Sequence, residues 1–196
     1  MEPWLRLDRA EIGTARDMLR SCCGSTAWVE TMLSRRPFRT RDALLSAARE
    51  VWCNLERSDW LEAFSHHPKI GDRAALRERF PTTGHLSEKE QAGVDGASEA
   101  TLTALAEANG EYERKFGYIF IVCATGKTAR EMLEMLSDRL RNECESEIRI
   151  AAEEQAKITA LRLLYLLNRS PLLTGLADGC RQYAITTLNE PLLSPR

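Results

Sequence analysis

Hydrophobic residues return at every third or fourth position along most of this chain, which is the spacing of one face of an α-helix. A sustained alternation of hydrophobic and polar residues, typical of half-buried strands, is missing from the sequence. The widest apolar stripe follows Thr40 and consists of Ala43, Leu44, Ala47, Ala48, Val51, Trp52 and Leu55. The pattern therefore predicts an all-α fold.

Helix boundaries can be predicted on both sides of this stripe. Ser25 is a suitable N-cap for a helix that ends before Pro37, because proline disfavours helical geometry in the preceding residue. Further helices are predicted from Ser87 to about Arg114, from Thr128 to Arg141 and from Glu143 to Asn168. The apolar run FGYIFIVCA has no second run with which to pair, so we expect a buried extended or helical segment.

The domain organisation follows from a change of pattern near the end of the chain. Residues 1–168 are predicted to form a single compact multi-helix domain. Residues 169–196 contain short apolar fragments separated by proline and glycine, without a clear period, and are predicted to be a C-terminal extension.

Charge and composition exclude several classes of protein. The 27 Lys and Arg residues against 29 Asp and Glu residues give no net positive field for nucleic acid or an anionic membrane. The longest apolar stretch, 116–124, is much shorter than the roughly 20 residues that cross a bilayer as a helix. The first residues lack the pattern of a secretory signal, so we expect a cytoplasmic protein, with the peroxisome as the alternative.

The six cysteines lack the paired spacing of a zinc site or a disulfide framework, and most are expected to be reduced packing residues. A metal cluster of His66, His67, Asp72 and His85 is a weaker alternative, because their spacing matches no established metal-binding signature.

The first candidate for chemistry is His67, which precedes Pro68. Proline moves the preceding residue out of the α region, and the loop would hold the imidazole of His67 at a fixed angle. A histidine so placed suits general acid or base catalysis, because its ordinary pKa lies near neutrality. The competing interpretation is a loop histidine without a function.

The second candidate is the segment SEKEQ at 87–91. Ser87 followed three residues later by Glu90 is the capping-box pattern, which satisfies backbone N–H groups at a helix start. The functional interpretation is a carboxylate and the amide of Gln91 offered to an anionic ligand at a helix N-terminus.

The third candidate is Arg162, which falls on the apolar face of the last predicted helix. A guanidinium there needs a partner, because an isolated buried charge is strongly destabilising. A structural ion pair and planar recognition of a carboxylate or an imide are both open.

Together, these motifs resemble the OHCU decarboxylase family, which converts 2-oxo-4-hydroxy-4-carboxy-5-ureidoimidazoline (OHCU) to (S)-allantoin in urate breakdown. The resemblance covers about residues 8–168 and depends on the order and spacing of four blocks: WLEAFSHHPKIGD at 60–72, SEKEQAG at 87–93, ERKFGYIFIVCATGK at 113–127 and EIRIAAEEQAKITALRL at 147–163.

The resemblance implies a helical, usually homodimeric decarboxylase that uses no cofactor and no metal. It implies that His67 and Glu90 are catalytic. It also implies a substrate-binding set of Pro68, Ser87, Gln91, Arg162 and the main chain of Phe120, Ile121, Val122, Cys123 and Ala124. The alternative is a non-catalytic helical interaction module that retains the family fold.

Overall fold

The computed structural model describes residues 4–67 and 99–168, and the described residues form helices joined by short connections. These are α1 (Trp4–Arg9), α2 (Ile12–Cys22), α3 (Thr26–Ser34), α4 (Arg41–Cys53), α5 (Arg57–Ser65), α6 (Glu99–Phe116), α7 (Ala129–Arg139) and α8 (Cys144–Asn168). Within these two ranges there is no β-strand, and the predicted all-α class is confirmed.

Three predicted helix starts are confirmed by their capping bonds. The hydroxyl groups of Ser25, Thr40 and Thr128 each accept a hydrogen bond from the backbone N–H three residues later, at 3.2, 3.1 and 3.2 Å. At Thr128 the capping box is complete, because the carboxylate of Glu131 accepts from the threonine backbone N–H. These helices therefore begin where local side-chain chemistry predicts.

The first two helices were not predicted. In α2, the buried residues Ala15, Leu19 and Cys22 are separated by charged and polar positions, so the apolar stripe is narrow. The α2 helix packs against α3 and α8, and its neighbour α1 packs against α2. Short helices are marginal in isolation, and this packing stabilises them in a way that a local pattern does not reveal.

Tryptophan side chains connect the helices of the core. The indole N–H of Trp28 donates to the carbonyl of Ala48, which ties α3 to α4 at 3.1 Å. Trp52 donates to Ala152 at 2.8 Å and so ties α4 to α8. Trp60 in turn donates to the carbonyl of Trp52 at 3.2 Å. These bonds link α3 and α5 to α4, and α4 to the middle of α8.

The run from 117 to 124 is an irregular segment between α6 and α7. Phe120 to Ala124 are all buried, as expected for a segment without a partner strand. Cys22, Cys23 and Cys123 are buried and form no disulfide among the described residues, which confirms the packing role for these three, whereas Cys53 and Cys144 are exposed.

Several predictions lie outside the described residues: those for Pro68, Ser87, Glu90, Gln91 and the extension 169–196. In the part of the chain that the structure covers, no helix is both long enough and apolar enough to cross a bilayer. The same part contains no group of three or more potential metal ligands.

Candidate active site

His67 lies just beyond the end of α5, where the chain leaves the helix. His66 caps the helix, and the backbone N–H of His67 donates to the carbonyl of Phe64 at 3.1 Å. His66 is exposed, whereas His67 is half-buried and faces the interior. The two neighbouring histidines are thus clearly distinguished by the fold.

The end of α5 is fastened to the start of α3 by Glu62. Its carboxylate accepts from the backbone N–H of Thr26 at 2.9 Å and from the hydroxyl of Thr26 at 2.7 Å. Burial alone would raise the pKa of Glu62, but these two bonds and the positive charge of Arg20 lower it overall. The ionised carboxylate therefore holds α3 and α5 together close to His67.

Arg162 lies on α8, and its positive charge acts on His67. Burial lowers the pKa of the His67 imidazole to about 3, and the positive charge of Arg162 contributes in the same direction. The thiol of Cys23 also feels this charge: burial raises its pKa to about 11, while Arg162 partly opposes that shift. His67 is therefore neutral at physiological pH and lies in the field of a half-buried guanidinium.

A neutral side chain, Gln155, lies beside His67 on α8. The Gln155 amide is fully buried, and its hydrogen bond with His67 raises the imidazole pKa against the other effects. The amide nitrogen donates to the hydroxyl of Thr159 at 3.1 Å. Gln155 and Arg162 are seven residues apart and so occupy the same face of the helix.

The predicted substrate wall, 120–124, is joined to the same stretch of α8 by the backbone N–H of Cys123. The N–H of Cys123 donates to the carboxylate of Glu154 at 2.7 Å, and its carbonyl accepts from the ammonium of Lys127 at 2.6 Å. Burial alone would raise the pKa of Glu154, but Lys157 and the Cys123 N–H lower it overall. The backbone N–H and the backbone carbonyl of Cys123 are thus both engaged by side chains.

A second clamp fixes the wall at Ile121. Arg139 donates to the Ile121 carbonyl at 2.8 Å and to the carboxylate of Glu147 at 2.7 Å. The carboxylate also accepts from the hydroxyl of Tyr112 and from the amide of Asn142. Glu147 is completely buried, and the guanidinium of Arg139 lies over the ring of Phe120. The wall is therefore held between α6, α7 and α8.

In the structure the positive charge of Arg162 acts on His67, and the N–H of Cys123 joins the 120–124 wall to Glu154, the residue before Gln155 on α8. The assigned roles of these residues, and of Glu90, stay predictions. The sequence interpretation missed Gln155 and Glu154. Gln155 could have been found, because it is a polar amide on the same apolar helix face as Arg162.

Residues 8–164 match the family model described as OHCU decarboxylase. The chain is 38% identical over 159 residues to the uric acid degradation bifunctional protein TTL of Arabidopsis thaliana, covering 81% of this chain and 48% of that protein. It is 30% identical over 130 residues to the 2-oxo-4-hydroxy-4-carboxy-5-ureidoimidazoline decarboxylase of Amia calva, covering 66% and 74%.

Among solved structures, one similar chain is that of an OHCU decarboxylase crystallised in the presence of (S)-allantoin. The TM-score is 0.65 at 38% sequence identity, and the match covers 78% of this chain and 99% of that chain. The present chain spans about half the length of the Arabidopsis relative.

Proposed function

The chain belongs to the OHCU decarboxylase family, and we propose that it removes the carboxylate of OHCU as CO₂ to yield (S)-allantoin in urate degradation. The observation that carries this proposal is that His67, a neutral and poorly solvated imidazole, lies within the electrostatic reach of the Arg162 guanidinium. That pair provides a base and an anion-binding group in one place. The similarity to a solved decarboxylase of the same reaction supports the same conclusion.

The substrate can supply its own electron sink. When the bond between the ring carbon and the carboxylate breaks, its electron pair moves into the neighbouring C=N or C=O bond and forms an enolate-like intermediate. The enol hydroxyl then loses a proton, and the ring carbon that bears the ureido group gains one. A further proton from solvent neutralises the negative charge that the departing CO₂ leaves on the sink atom, so the product is neutral allantoin. The expected independence from a cofactor stays a prediction, which metal analysis of the pure protein and turnover in chelator would test.

His67 is suited to the proton steps of this reaction. Its low pKa leaves a ring nitrogen unprotonated at neutral pH but also makes it a weak base, so its pKa must rise in the complex before it can accept the hydroxyl proton efficiently. The imidazolium formed in this way lies beside Arg162 in a poorly solvated position, so it is a strong acid. It would return the proton to one face of the intermediate and so yield a single enantiomer. The predicted partner of His67 is Glu90.

Arg162 would bind the anionic part of the substrate. A planar guanidinium can donate two parallel hydrogen bonds to a carboxylate or to an imide-like ring edge. Binding an anion there would offset the positive charge that now acts on His67, so the imidazole would become easier to protonate in the complex. Substrate binding and proton transfer would thus be coupled through one pair of charges.

The wall at 120–124 would set the orientation of the ring. Because side chains already hold the carbonyl of Ile121 and the peptide groups of Cys123, we assign substrate contact to the remaining main-chain groups, chiefly those of Val122. A clamped backbone cannot shift to follow a substrate, so it favours one ring orientation.

The test is turnover of freshly generated OHCU, followed by CO₂ release and by the circular dichroism of allantoin. We expect His67→Ala to reduce kcat by about 10²–10⁴-fold, the usual loss for one acid–base group. The variant His66→Ala is the matched control, because His66 is adjacent but exposed. If the unmodified protein and the His66→Ala control were both inactive, that result would instead support a non-catalytic helical module.

The homodimer and the cytoplasmic location are also proposals, and both are based on the sequence. Light scattering on the purified protein tests the first, and cell fractionation tests the second. A monomer at micromolar concentration, or a protein recovered with peroxisomes, would overturn the corresponding proposal.

A further inference from the structure

Glu154 is a carboxylate on α8 with an exposed fraction of only 7%. One of its oxygens accepts from the backbone N–H of Cys123 at 2.7 Å, and the other accepts from the ammonium of Lys157 at 2.5 Å. Burying a carboxylate is costly, and hydrophobic residues of similar volume often stabilise such an interface equally well or better. The charge at this position therefore calls for a role other than packing.

The hydrogen bond with Glu154 fixes the plane of the peptide group that joins Val122 to Cys123. This peptide is trans and planar, so its N–H and its carbonyl point in opposite directions. Since the N–H of Cys123 is directed at Glu154, the carbonyl of Val122 is directed away from that carboxylate. A rotation of the peptide plane would move the Val122 carbonyl, to which substrate contact is assigned above.

The same bond changes the electron distribution in the peptide group. An N–H that donates to a carboxylate increases the electron density on the carbonyl of its own peptide, which makes that oxygen a better acceptor. Val122 is buried, and within the two described ranges no residue forms a hydrogen bond with its backbone. Its polarised carbonyl therefore has no hydrogen-bond donor among these residues.

Lys127 holds the following peptide group from the opposite side of Cys123. Its ammonium donates to the carbonyl of Cys123 at 2.6 Å. Its positive charge also helps to lower the pKa of Glu154, so the carboxylate is ionised at neutral pH. Residue 123 is thus held on its N–H side by an anion and on its carbonyl side by a cation.

We propose that Glu154 is a positioning residue that orients and polarises the 122–123 peptide group for the substrate. It acts through the Val122 carbonyl, which would accept from a ring or ureido N–H of OHCU, and it does not contact the substrate itself. This consequence rests on the function proposed above, whereas the hydrogen bond between Glu154 and Cys123 does not.

The sequence allows this one peptide group to be observed directly. Valine followed by cysteine occurs only at 122–123. Protein labelled with ¹³C at the valine carbonyl and with ¹⁵N at the cysteine amide therefore gives a single cross-peak in a carbonyl-selected (HNCO) NMR spectrum. We expect the Cys123 amide proton at low field in the unmodified protein, as for donation to a carboxylate, and a clear upfield shift in Glu154→Leu.

Glu154→Gln separates the acceptor from its charge. The amide oxygen can still accept from the Cys123 N–H, but a neutral acceptor forms a weaker bond. We therefore expect a cross-peak between the positions seen in the unmodified protein and in Glu154→Leu. Glu153→Leu and Glu153→Gln are the matched controls, because Glu153 is the adjacent residue on α8 and is exposed. A cross-peak that keeps its position in both Glu154 variants would overturn the proposal.

Steady-state kinetics with OHCU tests the consequence for the substrate. A freed peptide disturbs the orientation of the ring while Arg162 can still bind the anion, so Glu154→Leu should lower kcat more than it raises KM. We expect a loss of kcat/KM of about 10–100-fold in Glu154→Leu. Glu154→Gln should recover most of this loss, and the Glu153 variants should show none.

An unchanged kcat in Glu154→Leu, or a loss in Glu154→Gln as large as that in Glu154→Leu, would contradict a positioning role. If Glu154→Leu does not fold, the nearly isosteric Glu154→Gln decides, through an upfield shift of the cross-peak together with a partial loss of kcat. If the unmodified protein does not decarboxylate OHCU, the proposed function fails and the substrate part of this proposal with it. The cross-peak then still decides whether Glu154 holds the peptide group.

Discussion

Gly24 lies so close to His66 that a β-carbon on the glycine would stand 2.6 Å from Cγ of the imidazole. That distance is far below van der Waals contact, and the obstructing atoms include Cβ of the histidine at 2.7 Å. The junction between α2 and α3 and the turn that carries the two histidines therefore fit together only with glycine at this position.

Gly24→Ala is expected to displace the turn that holds His66 and His67. Moving a catalytic group by about 1 Å can reduce the rate about 100-fold, so we predict a large loss of kcat/KM. Gly13→Ala is the matched control, because nothing lies within 4 Å of a β-carbon there. Steady-state kinetics and thermal unfolding of both variants would test this, and a fully active Gly24→Ala would contradict it.

The buried imidazole of His67 predicts a particular dependence of stability on pH. Its pKa is about 3 in the folded protein, below the ordinary value of 6.5, so the unfolded state binds more protons between these limits. The free energy of unfolding should therefore decrease as the pH falls from 6.5 towards 3. Urea titrations should show a shallower decrease in His67→Gln, but not in His66→Gln. Equal slopes in all three proteins would be inconsistent with a desolvated His67.

Arg162 can be tested by separating its charge from its shape. Arg162→Lys retains the positive charge but loses the planar fork, so we expect kcat/KM to fall by about tenfold or more while its acidic limb stays in place. Arg162→Met removes the charge, and the pKa of His67 should rise, which would move the acidic limb to higher pH. Identical pH profiles for the two variants would argue against an electrostatic effect of Arg162 on His67.

The ion pair of Arg139 and Glu147 should be essential to the wall at 120–124. Arg139→Met would leave a completely buried carboxylate without its cation, which destabilises a protein by about 3–5 kcal/mol. The double variant Arg139→Met/Glu147→Leu removes both charges and should be much closer in stability to the unmodified protein. Urea unfolding would measure both, and an equally unstable double variant would show that the lost bond to Ile121 is the larger effect.

The sequence predicts the fold where local chemistry is strong. Ser25, Thr40 and Thr128 cap their helices as their side chains suggest, and the apolar stripe after Thr40 forms one continuous helix that ends at Cys53, before its last predicted member Leu55. The narrow apolar stripe of α2 was insufficient to predict that helix, because α2 is stabilised by contacts with α3 and α8. Periodicity describes one element at a time and does not report such contacts.

In the candidate site, too, some residues could be predicted from the sequence, whereas others depend on tertiary contacts. Motif resemblance identified His67 and Arg162, which lie far apart in the chain, and the fold places them within each other's electrostatic influence. Gln155 was not singled out, although it lies in the block at 147–163 and on the same helix face as Arg162, because a neutral amide does not demand a charged partner. Gly24 was overlooked because a glycine before a helix cap has an ordinary local explanation, whereas its contact with His66 is tertiary.

The most direct measurement is the circular dichroism of allantoin formed from OHCU, which urate oxidase and hydroxyisourate hydrolase would generate in the same cuvette. We expect rapid appearance of the (S)-allantoin signal with the unmodified protein and its loss with His67→Ala. A planar intermediate protonated in solution gives both enantiomers, so slow formation of racemic allantoin at the same rate with and without the protein would contradict the account.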